Sequence, residues 1–182
     1  NFGGNTEIAA PFVEVAKRIS VTENDTAHGN LYGLGSTLEG FNVNRFMFEW
    51  LFEYAWDKSV TRIDEWITQY AKSRTKNNDT VAQEAYHRLI NLVYKDQVSG
   101  VACGSLLQAR PLLTGLKGYQ RPNKYNYQEL TEILSLMLRA NGKSLQSSEY
   151  QKDLVVVTKQ VLDNLIIPIR EKINDAYTNK DT

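Results

Sequence analysis

Apolar residues recur along most of this chain at the three- and four-residue spacing of helices. Ile8, Phe12, Val15 and Ile19 share one face of a first helix, with Pro11 in its first turn, where a missing N–H is tolerated. Residues 30–34, flanked by Gly29 and Gly35, read as a short strand, and residues 36–40 as a tight polar segment after it. Asn42 or Asn44 is placed to cap a strongly apolar helix that runs to about Trp56. Ile63, Trp66, Ile67 and Tyr70 then mark one helical face, and Ala82, Ala85, Leu89, Leu92 and Val93 another, begun by Asn78 or Asp79. Residues 97–124 are rich in Gly and Pro and show no period. Asn126 followed by Glu129 predicts a capping box and a helix through Met137 and Leu138, stopped by Gly142. Ser147 or Ser148 opens the longest helix, with Leu154, Val157, Val161, Leu165, Ile169 and Ile173 on one stripe. Pro168 inside it predicts a kink or a split.

The order helix, strand, loop, helix over the first part is the grammar of an α/β barrel, where active-site residues follow the C-terminal ends of strands. The rest reads as helices only. All six Phe lie in the first 52 residues, and beyond Trp66 the aromatics are exclusively Tyr. That shift places a border near residues 57–61 and divides the chain into 1–57 and 58–182. No repeat of 33–47 residues is present, which disfavours a helical solenoid.

Composition narrows the functions. A hydrophobic content of 42% is enough for a real core. Lys and Arg number 21 and so do Asp and Glu, so the basic footprint of a nucleic-acid binder is missing. The apolar runs are short and broken by charge, which argues against a membrane span. The single cysteine, Cys103, excludes a disulfide within the chain and a zinc site built on cysteines. His28 and His87 are far apart, no phosphate loop or dinucleotide fingerprint appears, and neither a metal nor an organic cofactor is expected. The chain opens on Asn1-Phe2-Gly3-Gly4-Asn5, inside a glycine turn with no lead-in, as expected of a piece of a longer protein.

Glu39 is the sharpest chemical feature. It follows the expected strand, and a carboxylate there would point into the mouth of a barrel pocket. A solvated loop acid, or an acid favoured by a helix N-terminus, would satisfy the same pattern. Glycosidases need two carboxylates, and Glu49, Glu53, Asp64, Glu65 and Glu84 all fall on helices, so a partner for Glu39 would lie upstream of residue 1. Tyrosine faces stack on sugar rings, which makes Tyr86 and Tyr119 candidates, although most helix tyrosines line a core edge.

Taken together, these motifs resemble a known family. Asn1-Phe2-Gly3-Gly4-Asn5 is similar to a run near the end of the catalytic domain of α-N-acetylglucosaminidases, glycoside hydrolase family 89. The segment from Gly33-Leu34-Gly35 through Leu38-Glu39-Gly40 resembles that family's glycine-x-glycine…glutamate-glycine segment. Ile63 to Ala71, Arg110-Pro111 and the helix from Asp153 to Leu162 also look like the family. The resemblance implies a mainly α chain: residues 1–57 as the incomplete C-terminal end of a catalytic (β/α)8 TIM barrel, and 58–182 as an all-α C-terminal bundle. It implies Glu39 as nucleophile, and Asn1, Asn5, Tyr86 and Tyr119 as substrate-binding residues. It implies a retaining exo-hydrolase acting on glycans with terminal α-linked N-acetylglucosamine, no cofactor, a general acid on an earlier barrel strand, and a secreted, periplasmic or lysosomal location. The missing N-terminal part of the same protein would be this chain's partner. Tyrosine stands at Tyr86 and Tyr119 where the family has pocket tryptophans, and Lys152 stands where it has an aromatic. The competing reading is a non-catalytic helical module that binds glycans or proteins.

Overall fold

A computed structural model describes residues 7–27, 29–36, 44–57, 62–94 and 125–179. Among these the elements are helices: α1 (Phe12–Asn24), α2 (Arg45–Tyr54), α3 (Ile63–Thr75), α4 (Thr80–Val93), α5 (Tyr127–Met137), the short α6 (Gly142–Leu145) and α7 (Ser148–Asn179). Local chemistry sets several starts. The Asp79 side chain accepts from the amides of Val81 and Ala82 at the head of α4, and Asn126 accepts from Gln128 and Glu129 at the head of α5. Each satisfies donors that a first turn otherwise leaves open.

Four expectations are corrected. No strand forms at 30–34; among the described residues there is no neighbouring strand to supply a ladder, and a lone strand has no partner for its backbone groups. Tyr32 there is 92% exposed. Gly142 does not stop α5, which ends at Met137; it opens α6, whose cap is Asn141. Of the kink or split expected at Pro168, the split does not occur: α7 runs on for 32 residues. Its position is exposed, so its ring meets no packed neighbour and water can serve the carbonyl that loses a donor. Asn44 stands where the cap of α2 was expected, but its side chain makes no cap bond. Its Oδ1 accepts from Ala9 N at 3.0 Å and its Nδ2 donates to Glu7 O at 3.2 Å.

Packing follows from the apolar faces. α3 lies against α4, α4 against α5, and α5 against α7. Phe46 is the centre of a ring cluster that spans the border expected at residues 57–61, with centroids 5.4 Å from Phe12, 5.1 Å from Trp66, 5.6 Å from Tyr70 and 5.1 Å from Tyr94. Tyr70 then meets Tyr86, and Tyr86 meets Tyr150. Each such contact adds roughly 0.5–1.5 kcal/mol beyond the area it buries. On α7 only the first half of the expected stripe is covered: Val157 and Val161 are buried, whereas Leu165, Ile169 and Ile173 are about half exposed.

Candidate functional site

The sequence-derived site meets the described structure at one residue. Glu39, Asn1, Asn5 and Tyr119 lie outside the described residues, as do Cys103, His28 and Arg110-Pro111. Tyr86 is described and buried, and its hydroxyl donates to Asp153 Oδ2 at 2.6 Å. Burial holds its phenol well above the usual range, with Asp153 adding to the effect. Its ring helps to wall a cavity of about 40 Å³ between Phe46, Tyr70, Tyr94 and Asp153. That is room for water rather than a sugar ring.

Two polar clusters organise the described part, and neither was singled out from the sequence. The first surrounds Arg74, on the buried face of α3 one turn after Tyr70. Its Nε and Nη2 grip both oxygens of Asp153 at 2.7 and 2.8 Å. Its Nη1 reaches Glu149 Oε2 at 2.9 Å and its Nη2 the Glu149 carbonyl at 3.0 Å. Glu49 lies 3.7 Å from Nη1. Arg45 and Lys152 also pair with Glu149 at 2.8 and 2.7 Å, and the guanidinium sits over the Tyr70 ring at 5.8 Å. Burial works against the Arg74 charge, but the bidentate bonds and field of Asp153 outweigh it and the guanidinium is held firmly protonated. Lys152 and then Arg74 draw Glu149 down to about 2. Burial pushes Glu49 up despite Arg74 and Arg45.

The second cluster joins the start of the described chain to α7. Glu7, Gln160, Asp163 and Asn164 are all buried. Gln160 Nε2 donates to Glu7 Oε2 and, at 3.1 Å, to Asn164 Oδ1, while Gln160 Oε1 accepts from Ile8 N at 2.9 Å. Lys159 Nζ stands 2.7 Å from Asp163 Oδ2 and 3.6 Å from Glu7 Oε1. Burial, reinforced by a hydrogen bond with Asp163, raises the Glu7 carboxyl from 4.5 to about 7, against the pull of Gln160 and Lys159.

A signal for both clusters was present in the sequence. Arg74 continues the apolar face of Ile67 and Tyr70, and a charge at a core position demands partners. Asp153 and Gln160 are seven residues apart, hence on one face of α7. What the sequence could not supply was which acid each would meet.

Among the described residues no group of three or more His, Cys, Asp or Glu side chains is placed to hold a metal ion, and no helix there is long and apolar enough to cross a membrane. His87 lies 3.1 Å from Thr68 Oγ1 and 3.7 Å from Asp64, an ordinary surface arrangement.

Comparisons with known proteins carry the identification. Residues 1–58 match the family model described as the alpha-N-acetylglucosaminidase (NAGLU) tim-barrel domain. Residues 66–182 match the alpha-N-acetylglucosaminidase (NAGLU) C-terminal domain. The chain is 26% identical, over 189 aligned residues, to a Homo sapiens protein named alpha-N-acetylglucosaminidase; the match covers all of this chain and 24% of that relative. The chain thus spans about a quarter of the length of the curated relative it matches. A barrel tail followed by an all-α domain, in the family's own order and over nearly the whole length, makes this chain a member of the α-N-acetylglucosaminidase family of glycosidases.

Proposed function

We propose that this chain is the C-terminal part of a retaining exo-α-N-acetylglucosaminidase. On this reading residues 1–57 complete the catalytic barrel and 58–182 form the all-α domain packed against it. The observation that carries it is the match of the barrel-domain family model to residues 1–58, the stretch that holds both Asn1–Asn5 and Glu39. The substrate is a glycan ending in α-linked N-acetylglucosamine, and the setting is secreted, periplasmic or lysosomal.

Glu39 is the nucleophile. Its carboxylate attacks the anomeric carbon, the C–O bond to the leaving sugar breaks, and a glycosyl ester forms with inverted configuration. A carboxylic acid outside this chain gives its proton to the leaving oxygen, then takes one from the water that opens the ester and restores the configuration. The two carboxyls must stand roughly 5–5.5 Å apart. One must stay ionised while the other stays protonated, which requires unlike surroundings. Asn1, Asn5 and Tyr119 contact the sugar. Tyr86, the fourth residue of that set, is buried with its hydroxyl on Asp153.

Without the general acid the isolated chain should not turn over an aryl α-N-acetylglucosaminide. In the longer parent protein, Glu39→Ala should lower turnover by orders of magnitude with the fold intact. Azide added to that variant should restore activity on an activated substrate and yield the β-glycosyl azide. Near-normal rates in Glu39→Ala, or an α-azide product, would remove Glu39 from the nucleophile's role.

A further inference from the structure

Tyr70 on α3 and Tyr94 at the end of α4 both line the small cavity beside the Arg74 cluster. Their rings are buried. Two neighbouring tyrosines spend their hydroxyls on protein groups: Tyr86 donates to Asp153, and Tyr150 donates to Met137 O at 2.9 Å. Among the described residues the hydroxyls of Tyr70 and Tyr94 have no such partner, and neither oxygen is sealed away from water. A buried phenol without a partner forfeits the bonds it makes in water. We propose that the cavity is a water-binding site, in which an ordered water accepts from the Tyr70 and Tyr94 hydroxyls and donates to Asp153, joining α3, the end of α4 and α7.

Size and partners both fit. The cavity of about 40 Å³ exceeds the roughly 10–15 Å³ that one water needs. A held water also needs about two to four polar partners. Asp153 supplies the third. Its Oδ2 accepts from Arg74 Nε and from the Tyr86 hydroxyl, whereas its Oδ1 accepts from Arg74 Nη2 at 2.8 Å. A carboxylate oxygen takes two donors, so Oδ1 keeps a lone pair for another. Both phenols feel the Asp153 charge, which adds to burial in holding them above the usual range, as expected of groups around one small space. Arg45, the other charged group in the wall, spends Nη1 on Glu149 at 2.8 Å. Leu89, Ile90 and Val157 form apolar wall and offer no competing partner, so the water is held at the tyrosines and Asp153. It extends the Arg74 cluster to the two tyrosines that pack on Phe46 of α2.

The test is oxygen-17 magnetic relaxation dispersion of water in solutions of the full 182-residue chain, which counts the water molecules held far longer than those at the surface. The wild type is compared with the double variant Tyr70→Phe and Tyr94→Phe, which removes both hydroxyls and keeps both rings. The double variant should show the loss of one long-lived water. A crystal structure of the wild-type chain should show a water within hydrogen-bond distance of both hydroxyls and of Asp153 Oδ1. An unchanged dispersion amplitude in the double variant overturns the proposal, as does a crystal structure in which the two hydroxyls bond protein groups directly. Should the double variant fail to fold, the wild-type crystal structure decides alone. Neither readout involves turnover, so the outcome is independent of the glycosidase reading.

Discussion

The two buried polar clusters differ in one respect that governs the rest. Around Arg74, three cations (Arg45, Arg74 and Lys152) meet three carboxylates (Glu49, Glu149 and Asp153). Around Glu7, Lys159 reaches two buried acids, Glu7 and Asp163. The first cluster joins α3 to α7 with the central guanidinium forked on Asp153 and held protonated. The second joins the start of the described chain to the same helix, and burial there raises the Glu7 carboxyl to about 7. One helix therefore carries a forked, protonated anchor in its first turns and, farther on, a joint whose acid is pushed up by burial. Buried charge as such predicts neither behaviour; the local balance does.

The largest break of this contrast is Arg74→Met. It leaves the half-buried Asp153 without its bidentate partner, and the cost should be up to roughly 3–5 kcal/mol. Urea denaturation should show it as a lower midpoint with an unchanged slope. Arg74→Lys should recover only part of that loss, because an ammonium cannot make the fork.

The next effect lies in pH. Glu7 binds its proton more tightly in the folded chain, at about 7 against an ordinary 4.5. Between those values the folded state holds more protons than the unfolded one, so stability falls as pH rises through that window. The contribution is fully present below 4.5 and is gone above about 7. Its size is roughly 3 kcal/mol at about 1.4 kcal/mol per unit. Denaturation midpoints of wild type and Glu7→Gln, followed across the window, should diverge, whereas Glu149→Gln near the matched cluster should not flatten the wild-type slope.

The smallest effect sharpens the comparison with a neutral-pH acid that has neither property. Asp79 caps α4 through one oxygen and takes Asn141 N and Ser144 Oγ, at 2.7 and 2.8 Å, on the other. Burial opposes its charge, but those donors prevail and hold it below the usual carboxylate range. Asp79→Asn should keep part of the cap, and Asp79→Ala should cost about 1–2 kcal/mol, read from the thermal midpoint.

Much of the helical order was open to a reader of the sequence. The α3 face from Ile63 to Tyr70, the Asp79 and Asn126 caps and the start of α7 at Ser148 are local patterns, set by period and by side chains a few positions away. The family resemblance was equally local, carried by short runs such as Asn1–Asn5 and Asp153 to Leu162. Other features were decided by distant neighbours. Residues 30–34 had the composition of a strand and no ladder to join. Asn44 had the position of a cap and was drawn to Glu7 and Ala9 instead. Whether Arg74 and Glu7 would be anchored or titratable depended on acids and a lysine contributed by α7, more than 70 and 150 residues away. Hydrophobic period and capping act within a turn or two and can be read from one segment, whereas the charge state of a buried group is set by whatever the fold brings within a few ångströms of it.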